Sequence, residues 1–183
     1  MLLAPMIARL QGQPDLASAL QTAVRDVVAL HGAEFGNVQL LDERGYLWIV
    51  AHSGLSREFL LAAGRISEDA SSVCARALRQ RKTVYVHNVA NDPLFLPFRD
   101  LAEHAPFRAV LSSPLCPSTG DCIGVVSVHF TNPRVATDIE IHTLESYCRT
   151  ASDHLLSKQS AAEMARQAEK LHRSMLESQR STA

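Results

Sequence analysis

The chain has 183 residues, 46% hydrophobic and 20% charged, with a formal net charge of −1. That balance suits one soluble domain of ordinary size with a short appendage, and it gives no electrostatic case for nucleic acid or an acidic membrane surface. Residues 1–10 are apolar but broken by Pro5 and Arg9; too short to span a bilayer and without the basic start of a secretory signal, they leave a cytoplasmic location as the expectation.

Pro14 and Asp15 open the first clear helix. Asp15 is placed to cap its free amides, and Leu16, Leu20, Ala23, Val24, Val27 and Leu30 form one apolar stripe. Gly32 ends it as a left-handed cap. A strand follows in which Val38 and Leu40 alternate with Asn37 and Gln39, and Glu43-Arg44-Gly45 turns it into an antiparallel partner over 46–53. Ser56 caps a short helix to Ala63, stopped by Gly64. Ser71 or Ser72 caps another through Gln80, with Val73, Ala77 and Leu78 inward and Arg76, Arg79, Arg81 and Lys82 outward. No aromatic residues are interleaved with these cations, so the basic face reads as a solvated surface. A strand over 83–89 leads to a Pro- and Phe-rich loop over 91–98, of the apolar kind that covers a site. Asp100–His104 adds one helical turn.

Two apolar runs, 109–115 and 122–130, then flank Pro117-Ser118-Thr119-Gly120-Asp121, which predicts a hairpin. In the second run Val126, Val128 and Phe130 face one way, and Val125, Ser127 and His129 the other. A surface strand would carry long charged side chains there, and a strand buried on both faces no polar ones. Small uncharged donors and acceptors suggest instead the floor of a small-molecule pocket. His129 itself reads either as a core histidine bonded to a backbone carbonyl or as a ligand contact.

Asp138 is expected to cap a helix carrying Ile139, Ile141, Leu144, Tyr147, Cys148, Ala151 and Leu155, with no Gly or Pro between Arg134 and Ala183. Beyond it, Ala161, Met164, Ala168, Leu171 and Met175 make a weak heptad-like seam that either pairs with a second copy or frays. The four cysteines, Cys74, Cys116, Cys122 and Cys148, form no C-x-x-C pair, so no zinc site is expected. In a reducing compartment they read as small buried hydrophobes. Cys116 and Cys122 bracket the hairpin loop and could meet at bridging distance, with free thiols the expectation. Paired carboxylates, a nucleophile elbow and a Gly-rich phosphate loop are all missing from the sequence, so no catalytic residues are assigned.

Taken together, the segments Gly32–Asp42, Leu47–Gly54, Val84–Val89 with Asp92-Pro93, and Arg108–Phe130 resemble a GAF domain of the small-molecule sensing kind found in bacterial signalling proteins. The resemblance spans about 14–156, leaving 1–13 as an N-terminal extension and 157–183 as a coiled-coil-like helical extension. It implies an α+β fold: a central antiparallel sheet of GAF/PAS type, with the N- and C-terminal helices on one face and a pocket under helices and loops on the other. The implied ligand-binding residues are Asn37 and Gln39, Cys74, Phe95 and Phe98 from the covering loop, Leu111 and Ser113, and Ser127 and His129. It further implies a non-catalytic sensor, homodimeric through its first and last helices, that signals to a downstream protein. No cofactor or ligand is named by it, because GAF domains take many. A thiol-based alternative, a redox sensor or a reductase like the free methionine sulfoxide reductases, would use Cys74 or the Cys116/Cys122 pair, although these cysteines depart from that group's pattern. Chromophore attachment is disfavoured, since Cys74 is followed by Ala75 and Cys148 by Arg149.

Overall fold

Asp15 accepts a hydrogen bond from the Ser18 amide at 2.7 Å, and Gly32 at φ 56° closes the last turn, so the second helix begins and ends where the sequence predicts. The computed structural model describes residues 3–101, 106–158 and 161–180. In chain order these form α1 (Leu3–Gln11), α2 (Leu16–His31), β1 (Phe35–Leu41), β2 (Tyr46–Ser53), α3 (Arg57–Ala63), β3 (Arg65–Ser67), α4 (Val73–Gln80) and β4 (Val84–Val86). Two 3-10 turns, Val89–Asn91 and Pro93–Phe98, precede β5 (Ala109–Leu115), β6 (Gly124–Phe130), α5 (Asp138–Lys158) and α6 (Ala161–Arg180). The strands make a six-stranded antiparallel sheet in the order β3-β2-β1-β6-β5-β4, an α+β architecture.

Strand alternation gives the sheet two different faces. On one, Val38, Leu40, Leu111, Val126 and Val128 pack against Leu20, Val24 and Val27 of α2 and Leu144, Tyr147 and Leu155 of α5. The approach is close: a Cβ on Gly36 would lie 2.5 Å from Val28 Cγ2. The opposite face lies beneath α3, α4 and the 3-10 turns, where Ile49, Phe59, Val73, Val86, Phe95, Phe107 and Val110 form a second apolar cluster.

Several expectations are corrected. The extension 1–13 contains a helix, α1, held by buried Met6 and Leu10 and by an Arg9–Asp26 ion pair at 2.6 Å. β3 was not foreseen, being only three residues long. The strand expected over 83–89 stops at Val86, because Asn88 accepts from the Ala90 amide and starts a 3-10 turn. Thr137, not Asp138, caps α5: its hydroxyl accepts from the Glu140 amide at 3.2 Å while Glu140 accepts from the Thr137 amide at 2.8 Å, a capping box. The turn expected at Asp100–His104 lies, beyond Leu101, outside the described residues.

Cys116 and Cys122 are joined as a disulfide, not left as thiols. The Ile123 amide donates to the Leu115 carbonyl at 2.8 Å, and this last rung brings the two cysteines together. The seam of the tail is also covered differently from expectation. Ala168 is fully buried, Leu171 joins the main core, and Met175 and Leu176 join the second cluster; the side chains of Ala161 and Met164 lie outside the described residues. β3 pairs β2 only at Tyr46, Leu47 and Trp48, and α6 packs along the rest of β2, closing an edge that would otherwise be open. Among the described residues no helix is long and apolar enough to cross a membrane.

Candidate ligand-binding cavity

The second face of the sheet is not fully packed. Asn37 pairs with Ser127, and Ser127 with Ser112, so three polar side chains from adjacent strands lie in one row. A register shift between Val38 and Gln39 sets Gln39 opposite Ile49, and both border the same cavity. His129 lies two residues beyond Ser127 on β6. At the other end of that strand backbone meets backbone: a Cβ on Gly124 would sit 2.0 Å from the Gln39 carbonyl oxygen.

Aromatic side chains form the roof. The Phe107 ring centroid is 4.9 Å from His129, 5.9 Å from Phe95 and 6.1 Å from Phe59, all steeply inclined. Phe95 and Phe98 come from the second 3-10 turn, which lies over the cavity. Two contacts clamp it to the α4 region. Arg76 Nη2 meets Asp92 Oδ2 at 2.6 Å with side chains only 11% and 12% exposed, and the Ser71 hydroxyl donates to the Leu94 carbonyl at 2.7 Å. The cavity's free volume is about 40 Å³. That is a few times the roughly 10–15 Å³ one water needs, so the site is tight in this state.

Its electrostatics are those of a neutral site. Burial pushes the His129 pKa down to about 4, leaving the imidazole uncharged at pH 7. Burial also raises the Cys74 thiol, against the opposing pull of the Ser72 hydroxyl, whose oxygen is 3.2 Å from the sulfur. Asn37 Oδ1 and His129 Nδ1 are buried without a hydrogen-bond partner, whereas Ser112 and Ser127 bond each other at 2.7 Å. The missing partner at Nδ1 bears on the two readings of His129: no backbone carbonyl satisfies that atom.

Asn37, Gln39, Cys74, Phe95, Phe98, Ser127 and His129 all border the cavity. Leu111 and Ser113 do not. Leu111 packs in the main core on the opposite face, and the Ser113 hydroxyl accepts from Thr83 at 3.1 Å. A hairpin symmetric about Thr119 would set Leu111 opposite Ser127, but the ladder pairs Ser112 with Ser127, and a one-residue change in register exchanges the faces. Val110 and Ser112 therefore take their places. Phe59, Ser72 and Phe107 also border the cavity unforeseen; the parity of Ser127 across the hairpin would have found Ser112, but no local signal marked the others.

A family model described as the GAF domain matches residues 13–155. The chain belongs to the GAF domain family. Solved GAF structures agree with the fold. The GAF domain of an Acinetobacter phosphoenolpyruvate-protein phosphotransferase superposes with a TM-score of 0.70 at 18% identity, covering 85% of this chain and 91% of that one. A Burkholderia vietnamiensis protein described as a GAF sensor gives 0.68 at 22%, covering 90% and 94%. The free methionine-R-sulfoxide reductase of Neisseria meningitidis, solved with its substrate, gives 0.70 at 21%, covering 91% and 89%. At these identities the likeness shows the GAF fold alone. Among curated proteins, no sequence matches the chain.

Proposed function

We propose that this GAF domain is a non-catalytic sensor: a small molecule enters the cavity over residues 37–129, and its arrival is transmitted through the terminal helices to a signalling partner. The observation that carries the reading is a lidded cavity bordered by buried polar atoms that lack partners, Asn37 Oδ1 and His129 Nδ1. Buried polar groups are nearly always bonded, to protein or to water, and a guest in the cavity would supply the bonds these two atoms lack. In this reading 14–156 is the sensing unit and 157–183 the reporter, in a cytoplasmic protein. A homodimer formed through the first and last helices belongs to the same proposal, and light scattering on the full chain tests it. The ligand itself is tested by titration calorimetry against cyclic nucleotides, amino acids, inorganic anions, haem and neutral aromatics. Saturable binding that a bulkier residue at Ser127 abolishes supports the sensor; silence across the panel overturns it.

A thiol-redox function is the second reading, favoured by the Cys116–Cys122 bond and by the likeness to a reductase. Against it, neither cysteine borders the cavity, and burial holds the Cys74 thiol above its ordinary range, which disfavours the thiolate. Thiol titration with and without peroxide separates the readings: unchanged reactivity at all four cysteines removes the redox one.

A further inference from the structure

We infer that the ligand is a small uncharged molecule of about one aromatic ring, carrying a hydrogen-bond donor that Asn37 Oδ1 accepts. This rests on the cavity being a ligand site, as proposed above, and adds the chemical class.

Charge is the first constraint. Among the described residues, no Asp, Glu, Lys or Arg borders the cavity; the nearby Arg76 donates from Nη2 to Asp92, and its Nε, buried without a partner, belongs to a residue outside the lining. Among the described lining residues a ligand carboxylate, phosphate or ammonium would meet no opposite charge, and burying it unpaired is strongly unfavourable.

Shape and surface come next. The inclined faces and edges of Phe59, Phe95 and Phe107 suit another ring packed among them. The free space of about 40 Å³ falls short of the roughly 150 Å³ of a cavity that takes benzene, so one ring is accommodated only as the Phe95–Phe98 segment moves outward.

Hydrogen bonding supplies the last constraint. Asn37 is 3% exposed and His129 5%, and they occupy diagonal positions on paired strands. An amide oxygen only accepts, so the group completing Asn37 must donate. Nδ1 of a neutral imidazole takes either role according to its tautomer. Ser112 and Ser127 bond each other through one of their two hydroxyl protons, and Gln39 reaches the Cys74 thiol; the lining atoms buried without any partner are Asn37 Oδ1 and His129 Nδ1.

The test uses four probes on the full chain at pH 7.5, where phenol is neutral: phenol, toluene, benzoate and benzylamine. In titration calorimetry phenol is expected to bind one site at least about tenfold more tightly than toluene, with benzoate and benzylamine weaker than either. Asn37→Leu is expected to bring phenol down to toluene's affinity while leaving toluene no weaker. Should that variant fail to fold, Asn37→Ala, which removes the acceptor without adding bulk, is expected to show the same loss. Equal binding of phenol and toluene overturns the donor requirement. Tighter binding of benzoate or benzylamine overturns the neutral class while the sensor reading stands. No binding of any of the four overturns the assignment, and the sensor reading falls with it only if the wider panel is silent too.

Discussion

Ile49 turns its side chain to the cavity and its carbonyl oxygen to the last helix, where His172 Nδ1 donates to it at 2.6 Å. A carbonyl only accepts, so Nδ1 carries the proton. The same imidazole lies 5.6 Å from the Trp48 ring. It also closes on Gly64, where a Cβ would meet its Cε1 at 2.3 Å, and Gly64 accepts the Ile49 amide at 2.9 Å. One wall residue of the cavity is thus also the anchor of α6, which gives the proposed signal a physical route. The signal can be no larger than the ligand's difference in affinity for the two arrangements of the helix.

His172→Ala removes that anchor. The expected loss is about 1–2 kcal/mol of stability, from one buried hydrogen bond and its packing. Hydrogen exchange should accelerate across 161–180 and stay unchanged in β5 and β6. Equal loss of protection in the sheet would show that α6 is part of the core rather than a separable reporter.

The lid rests on the Arg76–Asp92 pair. Arg76→Met keeps the apolar stem and leaves the Asp92 carboxylate without its cation, at an expected cost of about 1–3 kcal/mol. Limited proteolysis should then cut more readily within 89–101, and any cavity ligand should leave faster. Asp92→Asn is expected to do the same. The double variant should lose less than the sum of the singles, because they remove one shared interaction.

Acid should destabilise the chain through its buried histidines. Between the ordinary value of 6.5 and about 4, the unfolded chain holds a proton on His129 that the native state does not. Stability therefore falls as pH falls through that window, by up to about 1.4 kcal/mol per pH unit for this group. Burial lowers His31, His52 and His172 in the same direction. Urea midpoints measured at pH 7.5, 5.5 and 4.5 should decline steadily, and His129→Gln should flatten part of the decline.

Reduction of Cys116–Cys122, which are separated by 6 positions, releases a short loop. Loop entropy sets the stabilisation at roughly 2 kcal/mol. Dithiothreitol, or the double substitution to Ser, should lower the thermal midpoint by a few degrees and leave cavity binding unchanged. A large change in ligand affinity would instead tie the bond to the site.

Much of this arrangement is legible in the sequence because strands declare their faces. Ser127 and His129 amid valines, and Asn37 and Gln39 between Val38 and Leu40, mark the polar side of the sheet without any knowledge of its neighbours. What alternation leaves open is the offset between strands, and there Leu111 and Ser113 stood in for Val110 and Ser112. Phe59 and Phe107 belong to segments too short or irregular to show a period, yet they meet over His129. The seam through Ala168, Leu171 and Met175 shows which side of α6 is apolar but not what covers it. A second copy and the chain's own β2 leave the same pattern. Cys116 and Cys122 are similar: their spacing permits a bond, and the ladder decides that they meet.

The central claim is that the cavity and the last helix are coupled. The most direct test is hydrogen exchange on the full chain with and without saturating phenol, read at 124–130 and at 161–180 together. Protection rising in β6 accompanied by a change across α6 is the predicted result. Protection in β6 with α6 unmoved, or no change in either segment at a concentration where calorimetry shows saturation, would contradict it.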